Sequence, residues 1–160
     1  PGIKWTNDLV LEGRKLCGIL TELGMEGESA RLQYAAVGIG VNVSQQAEDF
    51  GPVAAPVAIS LAQALGKVPR RTDLAAALLR SLDRMYREFP TQRESWYERY
   101  RKDCLTLGKP VRVLRGNETF TGVAEDLADD FSLIVRREDG TRETVNAGDV
   151  SVRGLFGYTE

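Results

Sequence analysis

The hydrophobic period of this chain changes from 2 to 3.6 and back to 2, and that order of periods constrains its fold more than any single residue does. Leu9 to Glu12 reads as a short strand turned by Gly13. Lys15 to Leu23 then alternates, with Leu16, Gly18 and Leu20 set against Cys17, Ile19 and Thr21. The polar, glycine-bearing segment Gly24 to Ser29 reads as a hairpin loop. Arg31 to Val43 is the returning strand, and its apolar far half is expected to be buried on both faces. Ser44 to Pro56 reads as a loop. Ser60 to Leu65 is helical and stops at Gly66, a natural left-handed cap. Asp73 to Phe89 is the strongest helix, with Thr72 as its N-cap; Leu74, Ala77, Leu78, Leu82, Met85, Tyr86 and Phe89 form one stripe. A second helix, Arg93 to Lys102, carries Trp96, Tyr97 and Tyr100, which are read as packing residues.

At Leu107-Gly108-Lys109-Pro110 the pattern changes again. Short alternating segments follow at Val111–Leu114, Thr119–Ala124, Ser132–Arg136, Arg142–Val145 and Val150–Arg153, punctuated by turn residues such as Asp139-Gly140. The expected architecture is α+β: a sheet with helices over residues 1–106, then a small all-β, SH3-like barrel over residues 107–160.

Composition narrows the function. The chain is 42% hydrophobic and 28% charged, enough apolar content for a real core. A net charge of −2 argues against a dedicated nucleic-acid binder, so no nucleic-acid partner is expected for this segment. No apolar run reaches membrane-span length, and no signal-peptide pattern opens the chain; no membrane partner and a cytoplasmic location are expected. Cys17 and Cys104 lack zinc-type spacing, and no metal site is expected. The chain has no histidine. That excludes Ser-His-Asp and Cys-His catalysis and leaves lysine, arginine, carboxylate and amide groups. Such an inventory suits phosphoryl or acyl-adenylate chemistry, in which positioning and cations carry most of the work.

The candidate groups lie in two stretches, Lys4–Leu20 and Gly38–Asn42. Asn7 and Asn42 each offer donor and acceptor edges suited to an adenine or an amide, and the hairpin could bring Asn42 beside the Asn7 region. Lys4 and Lys15 are mobile cations suited to phosphate or carboxylate oxygens, or else solvated surface. Asp8 could orient a magnesium-bound water, hold a lysine, or accept a proton from an amine nucleophile. Gly38 and Gly40 leave room for close approach to the backbone, but no helix follows directly, so they form neither a P-loop nor a dinucleotide fingerprint. Arg153 is by default an exposed charge at a strand end.

Taken in order, KWTNDL, KLCGILTEL and VGIGVNV resemble the catalytic domain of biotin protein ligases, and the DVSVR ending resembles that family's C-terminal barrel. The resemblance covers essentially the whole chain. It implies a class II synthetase-like mixed sheet with helices, present in part, and a two-step reaction. Biotin and ATP, supplied with Mg, give biotinyl-AMP; the biotinyl group then passes to a lysine of the biotin carboxyl carrier domain of acetyl-CoA carboxylase. By the family pattern, Lys15 contacts the activated carboxyl and α-phosphate, Gly18 lets the backbone approach the biotin tail, and Asn7 and Asn42 lie on the nucleotide side. Asp8 would position or deprotonate the acceptor lysine, and Arg153 would reach toward ATP. The resemblance leaves Lys4 open between packing, a salt bridge and ligand contact.

Two departures stand out. Thr6 replaces the family's usual proline, which is expected to loosen the backbone ahead of Asn7. The family's glycine- and arginine-rich loop, which precedes the first motif, is not among these residues. The chain is therefore expected to be the C-terminal portion of a longer ligase, weak or inactive by itself, with an apolar sheet edge that favours homo-oligomers. The alternatives are a non-catalytic fragment that binds biotin or its adenylate or docks a carrier protein, and a lipoate-type ligase, whose motifs differ from those here.

Overall fold

The computed structural model describes residues 1–27, 31–115 and 118–146. The first sheet has four strands, β1 (Gly2–Lys4), β2 (Asp8–Leu11), β3 (Arg14–Met25) and β4 (Leu32–Val41), in the order β1-β2-β3-β4 and antiparallel throughout. Glu12 and Gly13, with φ of 51° and 73°, make the two-residue turn between β2 and β3. Two positive φ values in succession suit the twist of a tight hairpin. The β3–β4 hairpin is longer than its sequence suggests, because Gly24 and Met25 continue the ladder opposite Tyr34 and Leu32.

Three short helical pieces follow: a 3₁₀ turn at Ala47–Phe50, α1 (Gly51–Ala54) and α2 (Leu61–Leu65). The first two replace the loop expected over Ser44–Pro56. Gly51-Pro52 opens α1, where proline lacks only a hydrogen bond that the first turn cannot make. In α2, Ser60 accepts from the Gln63 backbone, Gln63 reaches back to Ser60, and Gly66 closes the helix at φ 67°.

The two expected long helices form one element, α3 (Arg71–Asp103), broken only at Gln92 (φ −124°, ψ 29°), two residues after Pro90. Proline removes one helical donor and bends the axis without ending the helix. Arg70, not Thr72, is its N-cap. No described residue of α3 is fully buried, and Tyr86 of the proposed stripe is 84% exposed. Periodicity made the stripe fit for burial, but half-burial is all that its neighbours provide.

The second sheet is an antiparallel meander of β5 (Pro110–Arg115), β6 (Glu118–Leu127), β7 (Leu133–Arg136) and β8 (Arg142–Val145). The expected fifth strand, Val150–Arg153, lies outside the described residues. The architecture is thus α+β, with antiparallel sheets and a second sheet of small β-domain size. Val113, Leu133, Val135 and Val145 have no exposed surface, and the same core takes in Trp5 and Cys104 from outside the sheet. Trp5 donates from its backbone to Thr106 Oγ1 at 2.9 Å and from its indole to the Phe131 carbonyl at 2.9 Å. Tyr100 hydroxyl donates to the Thr6 carbonyl at 2.7 Å. The segment expected to be loosened by Thr6 is therefore tied at both Trp5 and Thr6.

The burial expected for the far half of Arg31–Val43 holds only at its end, where Val43 is 8% exposed and Ile39 and Val41 are half-buried. β4 is exposed along most of its length, with Tyr34 at 62% and Val37 at 54%, and Leu20 and Leu23 of β3 are likewise exposed. An apolar strand is suited to burial, but burial needs a covering layer, and among the described residues α3 approaches only the Ile39–Val41 end, where its Leu74 and Leu78 line one hollow with the strand.

Candidate functional site

Strand register assembles the site. Lys4 pairs with Asp8, Asp8 with Gly18, and Gly18 with Gly40, so one row crosses all four strands of the first sheet. Directly paired residues project from the same face, which puts Lys4, Asp8 and the two glycines together. Simple alternation would send Lys15 to the other face, three residues from Gly18. A bulge prevents this: the pairing passes from Leu9–Cys17 to Val10–Lys15, leaving an extra residue on β3. Bulges re-aim side chains in this way. Lys15 Nζ consequently lies 2.7 Å from Asp8 Oδ1. A Cβ placed on Gly18 would sit only 3.2 Å from Lys15 Cε and 3.3 Å from Nζ, so the ammonium lies directly over that glycine.

The bulge is held from behind. Lys15 N donates to the Val57 carbonyl at 2.7 Å, and its own carbonyl accepts from Ile59 N at 2.9 Å. Asn42 Nδ2 donates to that same carbonyl at 3.2 Å and to the Ile59 carbonyl at 3.1 Å. Asn42 therefore acts on the backbone of Lys15, and it is not among the residues that line the cleft. Asn7 does line the cleft; its side-chain amide donates to the Ile19 carbonyl, while its backbone carbonyl accepts from Ile19 N at 2.9 Å. The two asparagines thus clasp β3 from opposite sides rather than meeting. The Val57–Ile59 segment was not singled out in the sequence; its only signal is a short apolar run before Ser60.

The resulting open cleft has a volume of about 590 Å³, with Asn7, Asp8 and Lys15 at its polar end, Gly18, Gly38 and Gly40 along its floor, and Leu20 beyond. A Cβ on Gly38 or Gly40 would approach protein atoms no closer than 3.7 Å, so packing alone does not demand glycine there. The volume these glycines leave belongs to the cleft. Lys4 is 7% exposed, and burial pushes its ammonium pKa down, opposed by the charge of Asp8 and reinforced by that of Lys15. Burial also pushes the neighbouring Cys17 thiol up, with Asp8 adding to the effect and Lys15 opposing it. A protonated, uncharged thiol is a poor nucleophile. Arg153 lies outside the described residues.

The sequence and the fold both match known proteins. Residues 2–42 match the Biotin/lipoate A/B protein ligase family, and residues 106–153 match the Biotin protein ligase C terminal domain. Among solved structures, a biotin protein ligase from Aquifex aeolicus in complex with biotin and ATP superposes with a TM-score of 0.79 at 25% identity, over 95% of this chain and 61% of that one. The bifunctional ligase/repressor BirA of Bacillus spizizenii is 33% identical over 149 residues, which are 91% of this chain and 44% of the relative. The biotin–[acetyl-CoA-carboxylase] ligase of Mycobacterium tuberculosis is 33% identical over 150 residues, 93% of this chain and 52% of the relative. The chain belongs to the biotin protein ligase family, a family of ligase enzymes. It spans about half the length of these two relatives.

Proposed function

We propose that the cleft holds an acyl-adenylate and that the chain supplies the Lys15 side of a biotin–protein ligase site. The observation that carries this reading is the Lys15–Asp8 pair, poised over Gly18 at the polar end of a glycine-floored cleft. In the first step a biotin carboxylate oxygen attacks the α-phosphorus of Mg-ATP, and the bond to pyrophosphate breaks. Negative charge builds on the phosphoryl oxygens, where the Lys15 ammonium offsets it. In the second step a carrier-domain lysine amine attacks the acyl carbon; the C–O bond breaks, AMP leaves, and the amine loses a proton. Asp8, beside Lys15, is the group that orients that amine or takes its proton. Gly18 and Gly40 admit the ligand close to the strand backbones, Asn7 lies on the nucleotide side, and Asn42 acts through the backbone of Lys15. Arg153 is assigned to ATP by family resemblance. Magnesium in this reading arrives with the nucleotide.

The same reading divides the chain into a partial catalytic domain, 1–106, and a C-terminal SH3-like domain, 107–160, and assigns the protein to the cytoplasm with biotin, ATP and the carrier domain as partners. The test is the intact mass of a biotin carrier domain after incubation with biotin, Mg-ATP and a chimera carrying the upstream part of the Aquifex aeolicus ligase ahead of this chain. A single biotinyl addition that disappears with Lys15→Ala is expected; no addition with the folded chimera overturns the reading. The exposed β3–β4 hairpin supports self-association. Sedimentation should show a concentration-dependent oligomer that Leu23→Lys with Val37→Lys reduces to monomer, and a monomer at all concentrations would remove this part of the proposal.

A further inference from the structure

Asp8 stands between two cations, and only one of them faces the cleft. Lys15 lines the cleft and holds Asp8 Oδ1 at 2.7 Å. Lys4 pairs with Asp8 across β1 and β2, is 7% exposed, and is absent from the cleft lining. An arriving anion must compete with Asp8 for Lys15. If Asp8 had no other cation, the Lys15–Asp8 pair would be neutral, and drawing Lys15 toward the ligand would leave a half-buried carboxylate uncompensated, which is costly. With Lys4 present the three groups carry a net charge of +1, and Asp8 keeps a counter-charge when Lys15 turns away.

We propose that Lys4 is a positioning residue: by balancing Asp8 from a buried position beside it on the same face of the sheet, it frees Lys15 for the carboxylate or phosphate bound in the cleft. The inference rests on the acyl-adenylate reading only for the identity of that anion. Lys4 touches no ligand in this scheme and acts through Asp8. A purely structural lysine would fill space and satisfy its own charge, and neutralising Asp8 would then not repair its loss. A balancing lysine behaves otherwise, because Lys4→Met combined with Asp8→Asn restores the net +1 carried by Lys15. Methionine preserves the linear, apolar length of the side chain, and Lys4→Gln serves as a second neutral variant with the same expectations.

The experiment compares the parent chain, Lys4→Met, Asp8→Asn and the double variant in two ways. First, AMP is titrated at low salt while the backbone amide signals of Gly18 and Gly40 are followed by NMR. Lys4→Met should weaken binding on the order of ten-fold, the scale of one unit charge acting across several ångströms at an effective dielectric of about 20 with screening, and the double variant should return to the parent value. Second, with no nucleotide present, the rate of Lys15 acetylation by an N-hydroxysuccinimide ester of acetic acid is measured by peptide mass mapping. The expected order is Asp8→Asn fastest, parent and double variant alike, and Lys4→Met slowest. Equal weakening in Lys4→Met and the double variant, or acetylation of Lys15 that ignores Lys4, overturns the inference. If AMP leaves every cleft signal unmoved while the acetylation order holds, the charge balance stands and the nucleotide reading falls. If AMP binds the parent and Lys4→Met equally, the inference falls and the nucleotide reading stands.

Discussion

Replacing Asn42 with alanine separates two roles for that residue, a clamp on the bulge or a contact to a nucleotide. Its side chain donates to the carbonyls of Lys15 and Ile59 at 3.2 and 3.1 Å. The Lys15 carbonyl retains its bond from Ile59 N, but the Ile59 carbonyl belongs to a residue with no exposed surface and loses this donor. At about 1 kcal/mol net for each bond, Asn42→Ala should cost about 2 kcal/mol. For a chain of this size that corresponds to a fall in melting temperature of about 4–8 °C. Asn42→Asp should cost more, because a carboxylate would face two carbonyl oxygens with nothing to donate. Thermal melts of the three proteins, followed by circular dichroism at neutral pH, give the answer. A melting temperature for Asn42→Ala within about 1 °C of the parent would refute the clamp, since even one lost bond should shift it by more. Loss of AMP binding in that unshifted protein would assign Asn42 to the ligand instead.

Three further outcomes follow from the fold. A Cβ on Gly122 would sit 2.6 Å from the Arg136 carbonyl oxygen and 2.6 Å from Val135 Cγ1; Gly122→Ala should lower stability by about 1–3 kcal/mol, read as the midpoint of urea unfolding. Trp5→Phe removes the indole donor from the Phe131 carbonyl and leaves a gap in the shared core; a loss of about 2 kcal/mol is expected by the same measurement. The Arg101 guanidinium, hydrogen-bonded to Asp126 at 2.7 Å, holds that carboxyl below its ordinary value of 3.8. A carboxyl with a depressed folded-state pKa adds stability above its unfolded pKa and loses it as pH falls through the folded one. Asp126→Asn should therefore flatten the stability profile below about pH 4, with a small effect because both partners are partly exposed. An unchanged slope in acid would show that the pair contributes nothing.

The sequence by itself determined what depends on neighbours in the chain. The alternation in 111–114, 132–136 and 142–145 produced β5, β7 and β8 to within a residue at each end, and that in 119–124 the first part of β6, which runs on to Leu127, because turns such as Asp139-Gly140 act locally; Gly140 indeed takes a φ of 84°. The cap at Gly66 was legible for the same reason. So was the chemical inventory, since these residues hold no histidine and the candidate polar groups of the two stretches are lysines, carboxylates and amides. The tertiary structure alone decided where those groups point. Periodicity assigns Lys15 to the face opposite Gly18, and only the bulge, pinned by Val57, Ile59 and Asn42 from distant parts of the chain, turns it onto Asp8. No local pattern could have shown that the Asn42 side chain donates to the Lys15 and Ile59 carbonyls, or that most of apolar β4 lies exposed. A residue's period tells which face it prefers, whereas its partner depends on contacts that close across the fold.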